Sequence, residues 1–94
     1  FPAVTRDIAV IIDKDVPAGH VEQMIRERGG KSLESCKLFD CYMGEQVEAG
    51  KKSMAYSLAF RDETKTLTDE DVNKSMKKIL SGLEYKFNAI LRDK

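Results

Sequence analysis

Ninety-four residues suffice for one domain with a single buried core and are too few for two, so no metal or disulfide is needed to hold the fold. The apolar and charged fractions, 41% and 34%, are those of a globular protein with a well-charged surface, and no apolar run nears the roughly 18 residues of a membrane span. Sixteen basic and sixteen acidic residues cancel, which counts against a free-standing nucleic-acid binder with a net positive field and requires any RNA contact to be local or most of the charge to lie elsewhere. The opening Phe1-Pro2-Ala3-Val4-Thr5-Arg6 has no basic segment followed by an apolar one, as a signal peptide would. Without an initiator Met, the chain reads as a fragment of something longer, a single domain over 1–94.

In Arg6 to Asp13, Ile8, Val10 and Ile12 alternate with Asp7, Ala9 and Ile11, giving a strand apolar on nearly both faces and therefore central. Pro17 suits the first turn of a helix, Val21, Met24, Ile25 and Arg28 recur at helical spacing, and Gly29-Gly30 ends the run. Leu33 to Tyr42 is a second strand with a defect. Leu38 is in phase with Cys36 but Phe39 with Cys41, so a β-bulge or sharp twist is expected between Leu38 and Phe39. Beyond it Phe39 and Cys41 should face the core, leaving Asp40 and Tyr42 together on the open side.

A loop from Gly44 to Gly50 returns the chain antiparallel and brings Ser53 near Tyr42. Lys52 to Arg61 then alternates cleanly, with Met54, Tyr56, Leu58 and Phe60 on one face and Ser53, Ala55, Ser57 and Ala59 on the other. A face of small residues lets another backbone approach or lies under something. Thr68 reads as the N-cap of a second helix whose Asp69, Glu70 and Asp71 sit on the positive end of its dipole. Val72, Met76, Ile79, Leu80, Leu83 and Phe87 form its apolar stripe, and Ala89 to Arg92 makes a short last strand. Cys36 and Cys41 fall on opposite faces of a regular strand and form no C-x-x-C pattern, so both are expected as buried free thiols in a reducing compartment.

The order strand, helix, strand, strand, helix, strand is the α+β, ferredoxin-like split βαβ arrangement: an antiparallel sheet with both helices on one face and the first and third strands central. Its open face would carry Ala9, Asp40, Tyr42, Ser53, Ala55 and Ser57. A carboxylate, an aromatic ring and a hydroxyl on bare sheet make a site for one unpaired base. An RNP-type domain shares the strand order but stacks bases on exposed aromatics of the third strand, where this chain has only Ser and Ala. No catalytic or metal set emerges. His20 stands alone early in the first helix, and Gly30-Lys31-Ser32 follows a helix instead of opening one and lacks the glycine a phosphate loop needs at position 25. A regulatory or protein-docking domain of the same fold is the alternative reading.

Phe1-Pro2, Arg6-Asp7-Ile8-Ala9, Asp15-Val16-Pro17-Ala18-Gly19, Leu33-Glu34-Ser35, Leu38-Phe39-Asp40-Cys41-Tyr42, Gly50-Lys51-Lys52-Ser53-Met54-Ala55-Tyr56 and Thr66-Leu67-Thr68-Asp69-Glu70-Asp71-Val72-Asn73 run in order along nearly the whole chain. Together they resemble the C-terminal ferredoxin-fold anticodon-binding domain of bacterial phenylalanine-tRNA ligase beta subunits. The resemblance implies a non-catalytic, cytoplasmic module that holds the anticodon of tRNA(Phe). It implies a parent heterotetramer of two alpha and two beta chains that uses ATP and Mg2+, with the catalytic site in the alpha subunit and no cofactor in this domain. By the same resemblance Tyr42 stacks on the first anticodon base, Asp40 accepts from its edge, and Ser53 is a polar contact beside them. Ala9 and Ala55 would form the flat floor, while Lys51, Lys52, Arg6 and Arg61 are candidate phosphate partners.

Overall fold

The computed structural model describes residues 1–44 and 47–92. It contains β1 (Val4–Asp13), α1 (Ala18–Gly29), β2 (Leu33–Tyr42), β3 (Lys51–Phe60), α2 (Asp69–Phe87) and β4 (Ile90–Leu91). The sheet order is β2-β3-β1-β4, with every neighbouring pair antiparallel. This is the expected ferredoxin-like topology with β1 and β3 in the middle. Part of the expected hairpin loop, Glu45 and Gln46, lies outside the described residues.

β1 and β3 pair without interruption from Val4 opposite Phe60 to Asp13 opposite Lys51. Ile8, Val10 and Ile12 therefore share a face with Met54, Tyr56, Leu58 and Phe60, and that face buries against Val21 and Ile25 of α1 and Val72, Ile79 and Leu83 of α2. Each such side chain contributes about 1.5–3 kcal/mol by leaving water. Tyr56 brings a polar atom into this core, and its O–H donates to the Ala18 carbonyl in the first turn of α1 at 3.3 Å. Burial holds that phenol in its neutral form and raises its pKa.

Pro17 is the N-cap of α1, one position earlier than a first-turn residue, and Gly30 ends the helix at φ +74, a value few other residues adopt. α2 opens on a complete capping box: Thr68 Oγ1 accepts from the Asp71 N–H while the Asp71 carboxylate accepts from the Thr68 N–H, both at 3.1 Å. It closes with Asn88 in the left-handed conformation, its N–H donating to the Glu84 carbonyl at 3.0 Å.

The phase slip in β2 is a bulge. Leu38 opposes Tyr56 and Asp40 opposes Ala55, so Phe39 is the extra residue. Phe39 does not reach the core, contrary to the alternation: it is 57% exposed, and Cys41 is also exposed. The reason is length. Twelve helical residues of α1 rise about 18 Å, whereas ten strand residues of β2 run about 33 Å. The end of this edge strand beyond the bulge is therefore uncovered, and the strand's one buried residue, Cys36, lies before it. Of the two thiols expected in the core only Cys36 is there, where burial, reinforced by the charge of Glu22, pushes its pKa up to about 11.

Candidate nucleic-acid interface

The sheet face turned away from the helices is built in cross-strand rows. β1 and β3 place Ile11 beside Ser53, Ala9 beside Ala55 and Asp7 beside Ser57. β2 adds Tyr42 to the Ser53 row, Asp40 to the Ala55 row and Lys37 to the Ser57 row. On the other edge Ile90 of β4 opposes Ile11, and the Arg92 N–H donates to the Ala9 carbonyl at 2.8 Å. Arg92 thus stands at one end of the row that holds Ala9 and Ala55, with the exposed Asp40 at the other.

The two alanines leave a low floor, and the Arg92 side chain crosses the sheet over it. Its Nη1 donates to Ser53 Oγ on β3 at 2.9 Å, and its guanidinium carbon lies 5.2 Å from the centroid of the Tyr42 ring on β2. That separation is within cation–π range. A serine on an open face is consequently only 3% exposed. Ser53 thus anchors Arg92.

Of the residues expected at this site, Asp40, Tyr42, Ser53, Ala9 and Ala55 come together and Lys52 does not. As the neighbour of Ser53 on a regular strand, Lys52 leaves β3 on the helix side, where its Nζ donates to the Val16 carbonyl at 2.6 Å. The other candidate phosphate partners are also engaged within the protein. Lys51 is 2.7 Å from Asp13, Arg61 is 3.1 Å from Glu34, and Arg6 donates to Asn73 at 2.8 Å beside Asp69. Arg92 is the residue that sequence reasoning missed. Its signal was strand parity: once Ile90 is set opposite Ile11, Arg92 falls on the open face.

Chemically the site has an acceptor, a donor and a stacking surface around a flat floor. Asp40 when ionised only accepts, and Arg92 has five N–H donors, of which Ser53 takes one. A planar group resting against Tyr42 would meet a carboxylate on one side and a guanidinium on the other. Guanine has that complement, with N–H groups for a carboxylate and the O6 and N7 acceptors that arginine reads. Among the described residues there is no group of three or more His, Cys, Asp or Glu side chains able to hold a metal ion, and no helix is long and apolar enough to cross a membrane.

Comparison with known proteins agrees with this geometry. The sequence profile described as "Ferredoxin-fold anticodon binding domain" matches residues 1–92. The phenylalanine-tRNA ligase beta subunit of Clostridium acetobutylicum is 51% identical over 92 residues, and those of Bacillus subtilis and Listeria monocytogenes are 48% and 45% identical over the same length. Each alignment covers 98% of this chain but only 11–12% of the relative, so the chain spans about an eighth of the curated relatives it matches. With the fold, the open face and the matched profile in agreement, the chain belongs to the ferredoxin-fold anticodon binding domain family.

Proposed function

We propose that this chain is the anticodon-holding module of a phenylalanine-tRNA ligase beta subunit, and that the first anticodon base of tRNA(Phe) lies on the open sheet face. The observation that carries the reading is the convergence of Tyr42, Asp40 and Arg92 over the floor of Ala9 and Ala55. Tyr42 stacks the base, Asp40 accepts from its N–H edge, and Arg92, held by Ser53, donates to its acceptors or to the adjoining phosphate. Base–aromatic stacking contributes about 1–3 kcal/mol, which suffices to register a base and not to capture a whole tRNA. In the proposed parent, two alpha and two beta chains supply the remaining contacts, and linkage turns this weak local site into a useful one. ATP and Mg2+ serve the alpha subunit's chemistry in this reading, no residue of this chain is assigned to them, and the assembly works in the cytoplasm.

The test places Tyr42→Ala and Asp40→Ala in the full beta subunit, assembled with its alpha partner. Charging of tRNA(Phe) should fall while amino-acid activation without tRNA is unchanged. Asp40→Ala should also narrow the preference for guanine at the first anticodon position. Unchanged charging in both variants would overturn the assignment and return the domain to a regulatory or docking role, for which the exposed Leu38 and Phe39 of β2 and Met43 just beyond its end would be the surface.

A further inference from the structure

The helix layer, on the opposite side of the sheet, carries a second feature that the anticodon reading does not use. Arg28 of α1 and Lys74, Lys77, Lys78 and Ser81 of α2 line a shallow groove of about 450 Å³ between the helices. Arg28 is laid across α2 at Gly82, where a Cβ would come within 2.9 Å of its Nε. Lys74 and Lys78 are one turn apart on α2, as are Lys77 and Ser81, so the α2 side chains make two short rows beside the guanidinium.

Among the described residues Arg28, Lys74, Lys77 and Lys78 have no carboxylate within 4.0 Å, in common with Lys14, Lys31, Lys37, Lys52, Lys86 and Arg92, and Lys74 lies near enough to Asp71 to help lower its pKa. What sets the four apart is that they share one groove. Like charges one turn apart weaken a helix, so the Lys74 and Lys78 pair opposes the stability of α2. In a chain of zero net charge, the groove is a local positive field. We infer that this groove binds consecutive backbone phosphates of a nucleic acid, without regard to base sequence. The composition favours phosphate over protein, because lysine is depleted at protein interfaces while ammonium groups, a guanidinium and a hydroxyl are usual phosphate ligands. The inference stands apart from the anticodon reading, since no residue is shared.

The experiment measures binding of a labelled single-stranded RNA of random sequence to the 94-residue chain across a salt series. Four proteins are compared: wild type, the triple variant K74Q/K77Q/K78Q, a control triple K14Q/K31Q/K86Q with the same change of net charge, and Tyr42→Ala. All six lysines are exposed, so the fold should survive in both triples, as far-UV circular dichroism would verify. The groove triple should bind at least about tenfold more weakly at low salt, with a slope of log K on log salt shallower by about 2, as expected for three phosphate contacts to a single strand. The control triple should stay within about twofold of wild type, whereas Tyr42→Ala, which removes a stacking platform and no charge, should weaken binding without changing the salt slope. Repeating the series with whole tRNA and with an isolated anticodon stem-loop identifies the source of the phosphates: a loss on whole tRNA larger than that on random RNA and absent from the stem-loop points to another part of the same molecule, and a loss on random RNA that whole tRNA does not share points to a separate nucleic acid. Equal losses in the two triples, no change in the groove triple, or no binding by wild type would overturn the site and leave the patch to an acidic protein surface. Because Tyr42→Ala tests only the sheet face, failure of one reading is distinguishable from failure of the other.

Discussion

Replacing Arg92 by methionine keeps much of the aliphatic stem that crosses the alanine floor and deletes the guanidinium. The deletion removes the 2.9 Å bond to Ser53 and the 5.2 Å approach to the Tyr42 ring. A hydrogen bond to a charged group contributes about 1.5–3 kcal/mol, but here the charge faces solvent and Ser53 can take up water once uncovered, so the lower end applies. Cation–π contact at an exposed site adds about 0.5–1 kcal/mol. The expected loss is therefore about 2 kcal/mol, or a fall in Tm on the order of 10 °C for a domain of this size. Urea unfolding of Arg92→Met, Tyr42→Leu and the double variant measures the coupling directly. The structure requires an interaction energy of at least about 0.5 kcal/mol, and additivity within the usual 0.3–0.5 kcal/mol would refute the contact. The same substitution should weaken binding of an anticodon stem-loop, because the donor side of the site is gone.

Thr68→Ala deletes half of the capping box and should cost about 1 kcal/mol in urea unfolding at neutral pH. The Thr68 N–H holds the Asp71 carboxyl below the ordinary carboxylate range, so its contribution is present above the unfolded value and lost as pH falls through the folded one; the wild-type stability measured by urea unfolding should accordingly decline on acidification below about pH 4. The thiols should divide cleanly in a thiol-reagent assay at mildly alkaline pH, with the exposed Cys41 reacting at once and the buried Cys36 only as the protein opens. Because the Cys36 thiol is raised to about 11, the folded state favours its protonated form, and stability should decline only as pH rises from the unfolded thiol value toward 11; two fast-reacting thiols at mildly alkaline pH would contradict the burial.

Where one local pattern decides the outcome, the sequence was sufficient. The alternation of β3 places Met54, Tyr56, Leu58 and Phe60 in the core, and the capping sequence from Thr68 starts α2 one residue later, as observed. The slip between Leu38 and Phe39 located the bulge there, since a two-residue period that breaks must insert a residue, whereas the other register shift in β2, between Leu33 and Ser35, left no such mark in the apolar pattern. Misreadings arose where the answer depended on distant chain. Phe39 and Cys41 have core-like alternation, but whether a helix lies above them depends on the length of α1 and the edge position of β2. Arg92 meets Ser53 from 39 residues away through a strand of only two residues, too short to carry a periodic signal. Lys52 was drawn in by its place beside a loop, although the parity of its own strand sends it to the helix side.

The bulge is also what places the acceptor and the ring on the open face. Lys37 lies on that face opposite Ser57, and Leu38 lies on the helix face opposite Tyr56. In an unbroken strand Asp40 and Tyr42 would follow Leu38 to the helix side, because residues two apart share a face. The extra residue restores them to the face that holds Ala55 and Ser53, at the expense of leaving Phe39 57% exposed on an edge strand. Deleting Phe39 should therefore remove the bulge and keep the site. Asp40 then follows Leu38 directly, and plain alternation sets it opposite Ala55 and Tyr42 opposite Ser53, the register they already hold. Amide NMR spectra should retain the β1–β3 and β2–β3 pairings, and an anticodon stem-loop should bind as tightly as it does to the wild type. A loss on the order of tenfold, the size expected from removing one stacked base, would mean that face parity alone does not position Asp40 and Tyr42, and the role assigned to the bulge would fall.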